Sequence, residues 1–477
     1  MAWPARLTLL ALGLICLTPI AALMALGANA PGSDLASLLS DPVILRALRF
    51  TLLQAGLSTL LSVIVALPVL YALRAMRPGY VTGALRSLFA LPLVLPQIVA
   101  ALAIVGVYGQ AGWVADSADF MGLGWPSIYG LPGVVLAHVF FNMPLIVRVL
   151  DQALDVVPAE YRKTAAQIGM GPLAQFRLID WPAMAPAMRG GAALVFLLCA
   201  TSFTIVLVLG GGPRSTTLEV AIYQALTFDF DVRRAVVLVL MQVALGATVV
   251  FALSPSRIMD HGPMGVMGAN PRFGGDDASS RMKFPTYFVV FAAGVFVGAP
   301  FLFVVIDGLS GDLTGVVSGS AFLHAASTSA AIGVCSAVLA CAGAIALSAT
   351  AVVPRRRKTG NGGGLLRNML VALPVLMVVF PPLVLSAGWF LTLRSIMDPF
   401  IAAPLVVVVI NAAMALPFVA RIIGTALMAY RQRYGRLEAQ LGLRGMARFR
   451  LVFWPVLRLP LVTGFAFAFA LSLGDFG

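Results

Sequence analysis

Charge is what this sequence has least of. Only 11% of its 477 residues are Asp, Glu, Lys or Arg, and lysine occurs at Lys163, Lys283 and Lys358 alone. Soluble domains carry about 25% charge, so a fold wetted on all sides is excluded. No lysine follows a glycine, which removes the Gly-Lys of a phosphate-binding Walker A loop. The four cysteines (Cys16, Cys199, Cys335, Cys341) sit in apolar runs without metal-ligand spacing and read as small buried hydrophobes. His138, His261 and His324 are scattered, whereas a zinc site needs a cluster. Neither a metal nor a cofactor is expected. Paired carboxylates and nucleophile–base sets are also missing, which disfavours a membrane-embedded enzyme. So is the strict alternation of a membrane β-barrel.

What fills the sequence is hydrocarbon: 60% of residues are hydrophobic and the mean hydropathy is +0.97. Runs near the roughly 20 residues of a spanning helix recur throughout. They lie near 7–27, 50–73, 87–108, 131–150, 188–209, 235–253, 285–306, 322–353, 368–393, 403–425 and 460–477. Helices suit them, because hydrocarbon leaves unpaired backbone groups unsatisfied. The expected fold is therefore an all-α polytopic membrane protein. Arg74, Arg77 and Arg86 share one inter-span loop, Asp116 and Asp119 the next; Asp307 and Asp312 share another, Arg355, Arg356, Arg357 and Lys358 the one after it. That alternation follows the positive-inside rule and places the N-terminus on the cytoplasmic side of the membrane. The net charge of +13 is thus read as topological anchors beside anionic lipid rather than a nucleic-acid surface. Arg6 and Ala28-Asn29-Ala30 imitate a cleavable signal, but the apolar core Leu7–Leu26 exceeds the roughly 7–15 residues of one, so an uncleaved first span is preferred.

The sequence repeats itself. An offset of 273 lays Pro144 on Pro417, Arg148 on Arg421, Tyr161 on Tyr434, Gln167 on Gln440 and Gly169 on Gly442. The same offset lays Phe176-Arg177-Leu178 on Phe449-Arg450-Leu451 and Trp181-Pro182 on Trp454-Pro455. Upstream, a slightly different offset pairs Thr51 and Gly56 with Thr328 and Gly333. Apolar chance matches would not include a Gly, a Trp-Pro and two arginines in one register. The expected organisation is a first transmembrane half over 1–253, a cytoplasmic linker over 254–284 and a second half over 285–477. An even number of spans between matched positions makes the repeat parallel, about an axis along the membrane normal. The first half continues about fifty residues past Thr204, the counterpart of Gly477; by this reading each half has six helices and the last helix is missing.

The matched loops read Tyr161-Arg-Lys-Thr-Ala-Ala-Gln-Ile-Gly169 and Tyr434-Gly-Arg-Leu-Glu-Ala-Gln-Leu-Gly442, each followed thirteen residues after its Gly by Pro182 or Pro455. Each is expected to be a short helix interrupted at Gly, then an amphipathic stretch closing at Pro. Ala165, Ala166 and Ala439 leave room for a partner's surface, and Arg431, Arg433, Arg436, Arg444, Arg448 and Arg450 suit acidic groups or lipid headgroups. The spacing resembles the coupling-loop signature of ABC importer permeases, Glu-Ala-Ala, three residues, Gly, nine residues, Ile-x-Leu-Pro. Lys163 and Arg436 replace the signature acid, with Glu160 and Glu438 nearby, and Trp181 and Trp454 precede the prolines. The resemblance implies type I importer architecture and docking of each loop on one of two copies of a cytoplasmic ATPase. Glu160, Ala165, Ala166, Gly169, Phe176, Trp181 and Pro182 would carry it in one half, and Glu438, Ala439, Gly442, Phe449, Trp454 and Pro455 in the other. The alternative is an interfacial helix packing under its own bundle.

Further stretches narrow the resemblance to thiamine ABC importer permeases. They are Val107–Trp113, Tyr129–Pro144, Leu209–Pro213, Thr216–Leu226 and Ser472–Gly477. Import of thiamine or its phosphates, delivered by a periplasmic thiamine-binding protein, is what this implies; iron(III) is the alternative cargo of fused twelve-span permeases. An ion-coupled secondary transporter is disfavoured because the acids fall in loops or at span ends, not at membrane depth. A cationic, aromatic cargo calls for rings and an acid. Tyr108, Trp113, Trp125 and Tyr223, with Asp116 or Glu219, are the candidates near the outward side, the alternative being an interfacial aromatic belt. Pro92, Pro96, Pro374, Pro381 and Pro382 are expected to kink spans.

Overall fold

The structure, a computed structural model, describes residues 3–29, 37–38, 40–76, 79–93, 95–253, 283–351, 382–393, 396–442 and 445–474, and among them holds helices and no strand. Most of the expected linker and the Arg355–Lys358 run lie outside these residues, as do Pro374 and Pro381. The first half comprises α1 (Trp3–Asn29), α2 (Pro42–Ala75), α3 (Tyr80–Leu88), α4 (Gln97–Tyr108), α5 (Trp113–Phe120), α6 (Leu131–Asp155) and α7 (Ala159–Gln167). It continues through α8 (Pro172–Gln175), α9 (Trp181–Ala200), α10 (Thr204–Leu209), α11 (Leu218–Thr227) and α12 (Val232–Leu253). The second half holds α13 (Lys283–Ser310), α14 (Leu313–Ser318), α15 (Ser320–Ala351), α16 (Pro382–Leu393), α17 (Pro399–Gln440), α18 (Gly445–Arg448) and α19 (Trp454–Leu473).

Nine helical stretches among the described residues are long and apolar enough to cross a membrane. Two shorter apolar ones, Leu10–Ala22 and Pro382–Leu393, stand where further spans were expected. Local chemistry sets the ends. Asp41 and Asp398 each precede a proline at the first helical position and accept a bond from the next backbone N–H, of Val43 (2.8 Å) and Phe400 (2.9 Å). Carboxylate cap and proline both suit a helix start.

The span expected at 87–108 is broken between the end of α3 at Leu88 and the start of α4 at Gln97, with a turn at Leu91–Leu93 containing Pro92, since proline disfavours helix in the residue before it. The span expected at 188–209 starts earlier, at Trp181, and breaks at Thr201–Phe203. A break in a span frees carbonyls that lipid cannot satisfy. Two buried glutamines do so here: Gln54 Nε2 donates to Cys199 O (2.8 Å) and Gln242 Nε2 to Ala200 O (3.1 Å). Gln54→Leu is expected to leave Cys199 O with only the longer bond from Ser202 N (3.3 Å) and to destabilise the protein by about 0.5–1.5 kcal/mol, read as a lower midpoint in detergent thermal unfolding; no change would show that the break is held elsewhere.

Packing follows small residues. Ala55, Ser58, Ser62 and Ala66 are fully buried on α2, and Ser336, Ala337, Ala340 and Ala344 on α15. Such residues let membrane helices approach closely, α2 against α6 and α15 against α17. Helix α6 is the most enclosed of these spans, with 83% of its apolar window buried. The first helix of each half leans on the other half. Helix α1 packs on α16 and α15, with Trp389 Nε1 bonded to Ile15 O (3.1 Å), and α13 packs on α4 and α2. Accordingly Val290, Ala293 and Val297 join the core of the first half and Leu12 that of the second.

Candidate functional site: two matched loops and a cavity between the halves

The repeated loops share backbone geometry as well as letters. Gly169 and Gly442 both adopt positive φ, 67° and 62°. At Gly169 the surrounding bonds, Gly169 N to Ala166 O (3.1 Å) and Met170 N to Ala165 O (2.8 Å), form a Schellman stop. An added Cβ would meet nothing within 4 Å at either glycine. Conformation, rather than space, therefore calls for glycine here. Beyond each glycine a four-residue helix leads into a π-helical turn, Phe176–Asp180 or Phe449–Phe453. Trp181-Pro182 and Trp454-Pro455 then open α9 and α19, with proline at a position that needs no N–H donor.

The loops differ in two ways. Only the first is a separate short helix: α6 ends at Asp155 and α7 restarts at Ala159. The second, expected to be similar, is the end of the unbroken 42-residue α17. Pro158 interrupts the first, and its counterpart Arg431 has a backbone N–H that keeps the helix going. They are also held differently. Buried Asp180 accepts bonds from Tyr71 Oη (2.9 Å) on α2 and Arg162 Nη2 (2.8 Å) on α7. Arg74 Nη1 reaches Asp151 (2.6 Å) and Asp155 (2.9 Å) on α6. Asp180's counterpart is Phe453, whose ring lies 5.8 Å from that of buried Tyr430, itself 6.1 Å from Tyr434. Charge helps tie the first loop where ring packing helps hold the second.

Of the expected loop residues, Ala165 and Glu438 are buried, Phe176 is half-buried, and Glu160, Ala166, Gly169, Gly442, Trp181, Pro182, Trp454 and Pro455 are exposed. For Ala439 and Phe449 only the backbone is described. Phe176 packs beneath, its ring 6.1 Å from Tyr71 and 5.9 Å from Trp181. Arg162, Asp180 and Tyr71 were not singled out from the sequence, because the repeat that drew attention to the loops does not include them.

A cavity of about 310 Å³ lies between the halves. Its walls obey the repeat: positions 273 apart face it in pairs, His138 with Asn411, Phe141 with Met414, Leu145 with Phe418, Leu194 with Phe467 and Leu198 with Leu471. The break after α9 contributes Thr201, Ser202 and Phe203, and α11 contributes Glu219. Glu219 is the only charged residue among the described lining residues. It stands at the second position of α11, which is fastened to α2 by the bond from Leu218 N to Thr51 Oγ1 (2.9 Å). His138 Nδ1 lies 3.2 Å from Ser58 Oγ. His138 Nε2, Ser202 Oγ and Glu219 Oε2 are buried and have no hydrogen-bond partner.

Of the six residues named for a substrate path, Glu219 alone lines this cavity. Tyr108 and Trp113 pack toward α13, with ring centroids 6.2 Å from Phe296 and 5.4 Å from Phe303. Trp125 Nε1 bonds Tyr108 O (2.8 Å), Asp116 is exposed, and Tyr223 sits between Phe203 (5.1 Å) and Phe228 (5.7 Å). His138 carried no signal as one of three scattered histidines; its match to Asn411 at the repeat offset was the available one.

Residues 49–262 match the family described as binding-protein-dependent transport system inner membrane component. The thiamine transport system permease protein ThiP of Brucella abortus (strain 2308) is 44% identical over 474 residues, covering 98% of this chain and 85% of that protein. ThiP of Escherichia coli (strain K12) is 37% identical over 467 residues, 97% of this chain and 85% of that one. Among solved structures, a bacterial ABC transporter involved in the import of the acidic polysaccharide alginate matches with a TM-score of 0.43 and 16% identity, over 51% of this chain and 90% of that one.

Proposed function

The chain belongs to the family of binding-protein-dependent inner membrane components, and from that premise we propose that it is the permease of an ATP-driven importer carrying thiamine, with its phosphates as further cargo, from periplasm to cytoplasm. The observation that carries this reading is identity sustained across both halves, 44% over 98% of the chain, with a thiamine permease. The cavity agrees: one carboxylate and four phenylalanine rings (Phe141, Phe203, Phe418, Phe467) suit an aromatic cation. Iron(III), a hard ion, would ask for several oxygen ligands.

In this reading residues 1–253 and 285–477 act as two halves joined by 254–284, with the N-terminus in the cytoplasm. Two copies of a separate ATPase dock on the loops 158–182 and 431–455. Exposed Ala166 permits close approach, exposed Glu160 with the surrounding arginines supplies charge, buried Ala165 and Glu438 pack inward beneath the loops, and Gly169 and Gly442 fix each loop's exit. Trp181-Pro182 and Trp454-Pro455 pass the displacement directly to α9 and α19, both of which wall the cavity. A periplasmic binding protein delivers thiamine, and basic clusters rest on anionic lipid.

Complementation tests this. A thiamine-requiring bacterium without its own importer, given the full-length permease with its ATPase and binding protein, is expected to grow on thiamine too dilute to support the parent. Failure to grow, with all three proteins expressed, would reject the cargo.

A further inference from the structure

We propose that the cavity between the halves is a transient binding site for the cargo in transit and that Glu219 is the counter-charge within it. The inference rests on the importer reading and adds a residue-level basis for choosing a compact organic cation. Three observations converge. The carboxylate of Glu219 is buried and its Oε2 has no hydrogen-bond partner, although buried charges are normally paired. His138 Nε2 and Ser202 Oγ, two more buried polar atoms without partners, belong to walls of the same cavity. No Lys or Arg stands among its described lining residues, so nothing there would compete with a bound cation for the Glu219 carboxylate.

Unsatisfied polar atoms lining one largely apolar cavity are what a ligand with complementary polar groups satisfies. The phenylalanines complete the fit. Phe418 on α17 and Phe467 on α19 lie 5.5 Å apart, while Phe141 and Phe203 come from the first half. A cationic ring between the halves would lie against aromatic faces, meet Glu219 with its charge, and offer polar substituents to His138 and Ser202. Because α9 and α19 start at the ATPase-facing loops and reach this cavity, movement of the loops would change its shape and release the ligand.

The test is uptake of labelled thiamine into proteoliposomes holding the full-length permease with its ATPase and binding protein. Wild type is compared with Glu219→Gln, Glu219→Asp and Glu219→Met. Glu219→Gln is expected to lower uptake at sub-saturating thiamine by about tenfold or more, the scale of one lost charged contact. Glu219→Asp, which keeps the charge, should retain more uptake than Glu219→Gln. Glu219→Met separates transport from folding: replacing a buried charge by an apolar side chain should leave thermal stability equal or higher while uptake falls. Uptake by Glu219→Gln and Glu219→Met equal to wild type would overturn the counter-charge. A fall in uptake only in proportion to lost stability would overturn it too, in favour of a structural role. A wild-type assembly that hydrolyses ATP but imports no thiamine would instead reject the cargo, and this proposal with it.

Discussion

Replacing Gly169 and Gly442 together by valine is expected to reduce ATP-driven uptake more than tenfold, while Asn at both positions should retain most of it. Both glycines adopt positive φ, 67° and 62°, where a β-branched residue is strained by roughly 1–2 kcal/mol each and Asn is tolerated. Since an added Cβ meets no atom within 4 Å at either site, the Val–Asn contrast isolates backbone conformation from bulk. The variant chain can relieve the strain by letting the loop leave its geometry, which separates the docking surface from α9 and α19. Uptake, ATPase stimulation by the loaded binding protein and co-purification of the ATPase are the measurements. If Val and Asn behave alike, the glycines act by smallness toward a partner; if both are silent changes, the loops do not couple.

The second large effect belongs to Asp180. Its carboxylate holds Tyr71 of α2 and Arg162 of α7 at 2.9 and 2.8 Å, so Asp180→Ala removes two hydrogen bonds at once. The expected cost is about 1.5–3 kcal/mol, and it should be local: amide hydrogen exchange across 159–180 should quicken about tenfold or more. The 434–453 segment, held through Tyr430 and Phe453 rings, should be unaffected. Salt should weaken the ionic contacts of Arg74 and Arg162 that hold the first loop. Equal acceleration in both segments would mean that the two loops move as one unit and the asymmetry has no consequence.

How much could be read from the letters follows the kind of residue involved. Glycine, proline and Trp-Pro carry backbone meaning, so their repetition marked the loops, and the structure places the same φ and the same π-helical turn at both. The continuity of α17 was missed, although the letters held its cause: Arg431 stands where the first half has Pro158, and helix interruption needs the proline. The cavity was not legible, because its walls come from positions distant in sequence and become neighbours only when α6 and α9 meet α17 and α19. Aromatic residues near the outward loops drew attention by composition, yet Tyr108, Trp113 and Trp125 spend their faces and donors on packing. Acids were assigned to loops and span ends, but Asp180 lies within the candidate span Pro172–Ala200 and both it and Glu219 are buried, since a loop that folds back into a bundle is not a wetted loop. The break after α9 was hidden in an apolar run, and its mates Gln54 and Gln242 lie on other helices.

The most direct test of the whole account is uptake of labelled thiamine by the full-length permease in proteoliposomes, with its binding protein and either the active ATPase or one unable to hydrolyse ATP. The account predicts accumulation against a gradient with the active ATPase and none with the inactive one. Accumulation that persists with the inactive ATPase, or ATP-driven accumulation of iron(III) in place of thiamine, would contradict it.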